Sequence, residues 1–66
     1  MNGTIKTVKI DKGFGFVRGD DGVEYFFHRS AVPKDVDFDS LGAGERVMFE
    51  PDEGTKGPRA EGIERI

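Results

Sequence analysis

Side chains able to do covalent or acid-base chemistry are few in this 66-residue chain, and none has the company such chemistry needs. His28 is the only histidine, and no serine or carboxylate stands at a spacing that would complete a triad around it. Asp35, Asp37 and Asp39 alternate as calcium ligands can, but the segment lacks the glycine and terminal glutamate of an EF-hand, so they read as solvating charges. The absence of cysteine excludes a disulfide framework and a cysteine-ligated zinc site. What remains is a concentration of rings. The stretch KGFGFVRGDDGVEYFFH, Lys12 to His28, holds Phe14, Phe16, Phe26, Phe27, Tyr25 and His28, broken by glycines and flanked by cations. Rings spaced in this way offer surfaces for stacking rather than groups for catalysis. No enzyme activity, cofactor, metal or small-molecule substrate is expected.

Short strands must carry these rings, because ten glycines and three prolines punctuate the chain and no segment sustains a helical period. TIKTVKI alternates polar and apolar residues with a one-residue slip between Ile5 and Ile10, which a bulge explains. FGFVR and EYFFH are β-prone, and the DDG between them supplies a glycine for a short hairpin loop. ERVMFEP and RAEGIERI follow as two later strands, separated by DEGTKGP, whose Gly-Pro pair is expected to interrupt pairing. Ser30 to Gly44 reads as a long connection with one helical turn near Ser30 to Val32. The expectation is one all-β domain over residues 1–66.

Register assigns the rings to faces. A tight loop at Asp20 to Gly22 pairs Phe16 with Phe26 and Phe14 with His28 on one side of the hairpin. On the other side it pairs Val17 with Tyr25 and Gly15 with Phe27. Gly15 opposite Phe27 suits an interior, since the missing side chain leaves room for a ring in a narrow barrel. Arg18 and Glu24 are also paired and share the face of Phe14, Phe16, Phe26 and His28, which suits water. The opposite assignment, with those three phenylalanines as core, follows the usual burial of aromatic residues but would bury Arg18 and Glu24 with them. Ile5, Val17, Tyr25, Phe27, Val32, Val47, Phe49 and Ile63 are enough for a modest core without them.

Net charge is −3, a mild argument against a polyanionic partner, but the charges are unevenly placed. Residues 1–18 carry Lys6, Lys9, Lys12 and Arg18 against Asp11 alone, whereas residues 35–53 carry seven carboxylates against Arg46 alone. A basic face on an acidic protein is therefore feasible. The start, MNGTIKTVKID, has no continuous apolar run, so it is read as neither a signal peptide nor a membrane span, and a cytoplasmic protein is expected.

KGFGFV, Lys12 to Val17, fits the first six positions of the ribonucleoprotein pattern, in which rings on one strand face stack on bases; Gly19 departs from the aromatic of the eighth. RNA-recognition motifs share the pattern but need two helices, which this chain has neither the periodicity nor the length to form. A five-stranded antiparallel barrel of the OB-fold type remains. Over essentially its whole length the sequence resembles the bacterial cold-shock proteins. The KGFGF strand is followed by an aromatic-x-His motif, Phe26-Phe27-His28; HRSAV continues it; Phe38 stands where a loop aromatic is expected; and GTKGPRA resembles the last hairpin loop. The resemblance implies a single-strand binding surface of Lys6, Lys12, Phe14, Phe16, Phe26, His28, Phe38, Lys56 and Arg59.

The chain also departs from that family. Thr7 and Val8 stand where a tryptophan and a phenylalanine are usual, and Arg29 where an aromatic often follows the histidine. Each stacked base is worth about 1 to 3 kcal/mol, so losing one ring weakens binding by about five- to 160-fold, and losing a second compounds the loss. Arg29 and Lys9 can offset part of this through phosphate contact or guanidinium stacking. The expected function is binding of single-stranded RNA or DNA with low sequence specificity by a monomer, with a chaperone action that keeps strands unpaired. The alternative is a protein-interaction module that docks a partner on the same aromatic face.

Overall fold

A computed structural model describes residues 1–54 and 57–66. Five strands, β1 (Asn2–Lys9), β2 (Phe14–Gly19), β3 (Glu24–His28), β4 (Arg46–Gly54) and β5 (Gly57–Arg65), close into a barrel in the spatial order β1-β2-β3-β5-β4. Short 3-10 turns at Ile10–Lys12, Arg29–Ala31 and Phe38–Ser40 lie in the connections. The second is the turn expected near Ser30; the other two had no sequence signal, being three residues long and without periodicity. No helix among the described residues is long and apolar enough to cross a membrane.

The β2–β3 hairpin has the register its loop dictates: Phe14 pairs with His28, Gly15 with Phe27, Phe16 with Phe26, Val17 with Tyr25 and Arg18 with Glu24. Gly22 has φ 85°, a left-handed conformation that favours glycine, and its N–H closes the turn on the Gly19 carbonyl at 2.9 Å. Asp21 fastens the turn from within: one carboxylate oxygen accepts from the Val23 N–H at 3.0 Å and the other from the Tyr25 hydroxyl at 2.7 Å. β1 pairs Ile5 with Val17 but Thr7 with Phe16, so the register shifts at Lys6, as the slipped alternation requires. The shift keeps Ile5 inside while turning Thr7 and Lys9 to the outer face with Phe16 and Phe14.

The interior is Ile5, Val17, Tyr25, Phe27, Ala31, Phe38, Leu41, Val47, Phe49, Ala60 and Ile63, with Val8, Val32 and Val36 packed against it. A Cβ at Gly15 would lie 2.7 Å from Phe27 Cζ and 2.6 Å from the Thr7 carbonyl oxygen, so the ring occupies the space the glycine leaves.

Three expectations are corrected. The barrel is not wholly antiparallel: β3 and β5 run parallel where Phe26 is registered with Arg59, and this contact joins the two halves of the ring. Ile10 does not end a strand but lies in a 3-10 turn, 44% exposed. The Gly-Pro pair does not interrupt pairing: Pro58 is registered with Glu53, as Pro51, within its expected strand, is with Ala60. β1 pairs only with the Arg46–Met48 end of β4, and β5 meets β3 only at Arg59, so both prolines lie where their strand has a free outer edge and no donor is needed.

Candidate nucleic-acid interface

Two cross-strand rows make the outer face of the sheet. One runs Lys9, Phe14, His28 across β1, β2 and β3. The other runs Thr7, Phe16, Phe26, Arg59 across β1, β2, β3 and β5. Directly opposed residues share a face, so the alternation that sends Val17, Tyr25 and Phe27 inward sends these side chains outward.

The three rings form a cluster rather than separate pegs. Phe14 and Phe26 lie 5.6 Å apart, Phe16 and Phe26 5.7 Å, and Phe14 and Phe16 6.2 Å, the last two pairs edge to face. All three are half-buried, because each covers part of its neighbours. Edge-to-face contacts hold the cluster at about 0.5 to 1.5 kcal/mol each beyond area burial, on a strand-borne surface that water still reaches. His28 is exposed at the end of its row, and its Nδ1 accepts from the Ser30 N–H at 3.2 Å, which caps the turn that follows.

The cations of the face differ in what they already hold. Lys6 donates to Glu24 at 2.7 Å, which keeps that carboxyl below its usual range, so part of its charge is met within the protein. Arg29 pairs with Asp39 at 3.0 Å while its guanidinium lies 5.1 Å from the centre of the Phe38 ring. Among the described residues Lys9, Lys12 and Arg59 enter no ion pair. Arg59 lies over Phe26 instead, 5.7 Å from the ring centre.

Phe38 is placed differently from the expectation. It is 6% exposed, packs edge to face on Phe27 at 6.2 Å and is covered by Arg29, so it offers no open ring here. Asp37 and Asp39 are not merely solvating either: the Asp37 carboxylate accepts from the Asp39 N–H at 3.1 Å and caps the turn that carries Phe38, while Asp39 holds Arg29. Lys56 lies outside the described residues. From the sequence Lys9 reads only as an offsetting cation; its register opposite Phe14 puts it in the face, and the signal for this is the slip in alternation, which reverses the facing of the residues after Lys6. Val8, the second departure in the first strand, is registered with Gly15 and packs on the core, so of the two departures only Thr7 lies in the ring row.

A small closed β-barrel with an outward cluster of rings beside unpaired cations has the form of an oligonucleotide-binding barrel. Residues 1–66 match the family described as the "Cold-shock" DNA-binding domain. Cold shock protein 2 of Lactiplantibacillus plantarum is 41% identical over 63 residues, covering 96% of this chain and 94% of that protein. Cold shock-like protein CspC of Bacillus cereus is 36% identical over 66 residues, all of both chains. The Major cold shock protein of Streptococcus pyogenes serotype M1 is 38% identical over 64 residues, 97% of this chain and 94% of that one. The chain belongs to the cold-shock domain family, a family of nucleic-acid-binding domains.

Proposed function

We propose that this protein binds single-stranded RNA or DNA with little sequence preference and, by capturing unpaired strands, shifts nucleic-acid hairpins toward the open form without ATP. The observation that carries this reading is the Phe14, Phe16, Phe26 cluster standing on the outer side of the sheet, flanked by Lys9, His28 and Arg59. Every base has a face to stack, so rings confer affinity without sequence. Cations along the same path hold the backbone and make that affinity salt-dependent. Binding to the unpaired form alone displaces the hairpin equilibrium by mass action. In this reading the protein is a monomer in the cytoplasm and performs no chemistry.

A fluorophore-quencher hairpin tests the action. Adding the protein without nucleotide should raise the open fraction, and an unlabelled oligopyrimidine should reverse the effect by competition. A hairpin that stays closed while the protein binds no unpaired strand would leave the aromatic face to the alternative occupant, a protein partner.

A further inference from the structure

We infer that Arg59 makes one subsite of this face selective for guanine, set among subsites that accept any base. The inference rests on the strand-binding reading above and adds to it a specificity-determining residue. Arg59 is fixed at its backbone, since it is the residue of β5 registered with Phe26 in the parallel contact that closes the barrel. Its guanidinium is fixed by a second contact, lying over the Phe26 ring. Three other arginines are occupied, Arg29 by Asp39, Arg46 by both oxygens of Asp20 and Arg65 by Glu45 and Ser40, while Arg18, exposed and without an ion pair among the described residues, has no ring beneath it to fix it. Arg59 has no such partner among the described residues, although Asp52 is registered across from it on β4.

Its Nε is covered by protein and makes no hydrogen bond among the described residues. The side of the fork that includes Nε is thereby closed to a ligand, and the two terminal nitrogens remain as the pair of donors. Two parallel donors match the O6 and N7 acceptors of guanine, the commonest pairing of arginine with a base. Adenine offers a donor in place of one of those acceptors, and thymine sets an N3–H between its two carbonyls. Cytosine alone has another adjacent pair, O2 and N3, so strands carrying one cytosine are titrated beside the guanine strands, and equal affinity for the two would overturn the guanine assignment. A base splayed out of a single strand and stacked on the Phe26 cluster can turn this edge toward a side chain at the level of its ring. A phosphate would also satisfy the fork, but a group anchored on a base-stacking ring sits at the level of the bases.

The test uses the whole protein with labelled oligothymidylates carrying one guanine at each position in turn. The parent should bind the best-placed guanine strand about five- to one-hundred-fold more tightly than the all-thymidine strand. Replacing that guanine by 7-deazaguanine, which keeps the stacking surface and removes the N7 acceptor, should abolish most of the gain. Arg59→Lys keeps the charge and the aliphatic stem but not the fork. The variant should hold guanine and all-thymidine strands with equal affinity, and Arg59→Gln should lose the preference too. Equal affinity of the parent for guanine and thymidine strands, an undiminished gain with 7-deazaguanine, or a preference surviving in Arg59→Lys would each overturn the assignment. An Arg59→Lys variant weakened equally on every strand would make Arg59 a phosphate contact and overturn it as well. A parent that holds no strand at any salt would instead remove the strand-binding reading, and this subsite with it.

Discussion

Phe14, Phe16 and Phe26 owe their position to glycine and to their partners on the facing strand as much as to their own hydrophobicity. Each ring is half-buried by the other two, so the cluster costs less in water than three isolated rings would, and removing one leaves the core beneath untouched. Phe14→Ala, Phe16→Ala and Phe26→Ala should each weaken oligopyrimidine binding by about 1 to 3 kcal/mol in a titration while the far-ultraviolet circular dichroism stays that of the parent. Unfolding of all three variants would mean that the rings belong to the core. Thr7 is the other informative residue, because it is registered with Phe16 in the ring row. Thr7→Trp should tighten binding by about 1 to 3 kcal/mol, and the gain should persist at high salt because stacking releases no counterions. A folded Thr7→Trp protein with parental affinity at every salt would show that the strand does not cross β1.

At the scale of elements, the β2–β3 hairpin decides what faces where. Phe27 is fully buried against Gly15 and Phe38, and truncating it to alanine should cost about 3 to 5 kcal/mol, seen as a large fall in the melting midpoint. A Phe27→Ala protein melting with the parent would contradict the assigned faces. The hairpin turn makes a second prediction, in pH. The hydrogen bond to Asp21, with burial adding to it, pushes the Tyr25 phenol up to about 12, while the same bond and the Val23 N–H hold Asp21 below the usual carboxylate range. The folded chain thus binds the phenol proton more tightly than the unfolded chain. This stabilisation is complete below pH of about 10 and is lost as pH rises through about 12. Tyr25 is the only tyrosine, so phenolate absorbance reports this group alone; it should titrate near 12 in the parent, and Tyr25→Phe should flatten the alkaline loss of stability. Titration near 10 in the folded protein would show that the hydroxyl is free.

The hairpin was readable in the sequence because a short glycine loop and strict alternation leave one register, and the slip in TIKTVKI marked the bulge at Lys6. The place of Phe38 was not readable. It depends on the Asp37 cap, the cover given by Arg29 and the space beside Phe27, contacts that bring together separate parts of the chain and leave no periodic trace. The parallel contact of Phe26 with Arg59 was hidden for the same reason: it is a product of barrel closure, and no local pattern announces which strands meet last.

At the scale of the molecule, the net charge of −3 conceals a division. Lys9 stands at the ring face, registered with Phe14, whereas β4 and β5 carry Glu50, Glu53, Glu61 and Glu64, all exposed, with Glu50 registered directly across from Glu61. Like charges so placed repel one another and also repel a polyanion, so a nucleic acid approaching this protein is turned toward the aromatic side. The field is local, and salt within the Debye length attenuates it. The most direct test of the central claim is a titration of a short labelled oligopyrimidine across a salt series, with the parent and with a protein in which Phe14, Phe16 and Phe26 are all alanine. The parent should bind with the logarithm of affinity falling linearly against the logarithm of salt, at a slope of about −0.7 for each phosphate neutralised, and the triple variant should lose most affinity at every salt while keeping that slope. A parent without affinity at low salt, or a triple variant that binds as the parent does, would contradict the account.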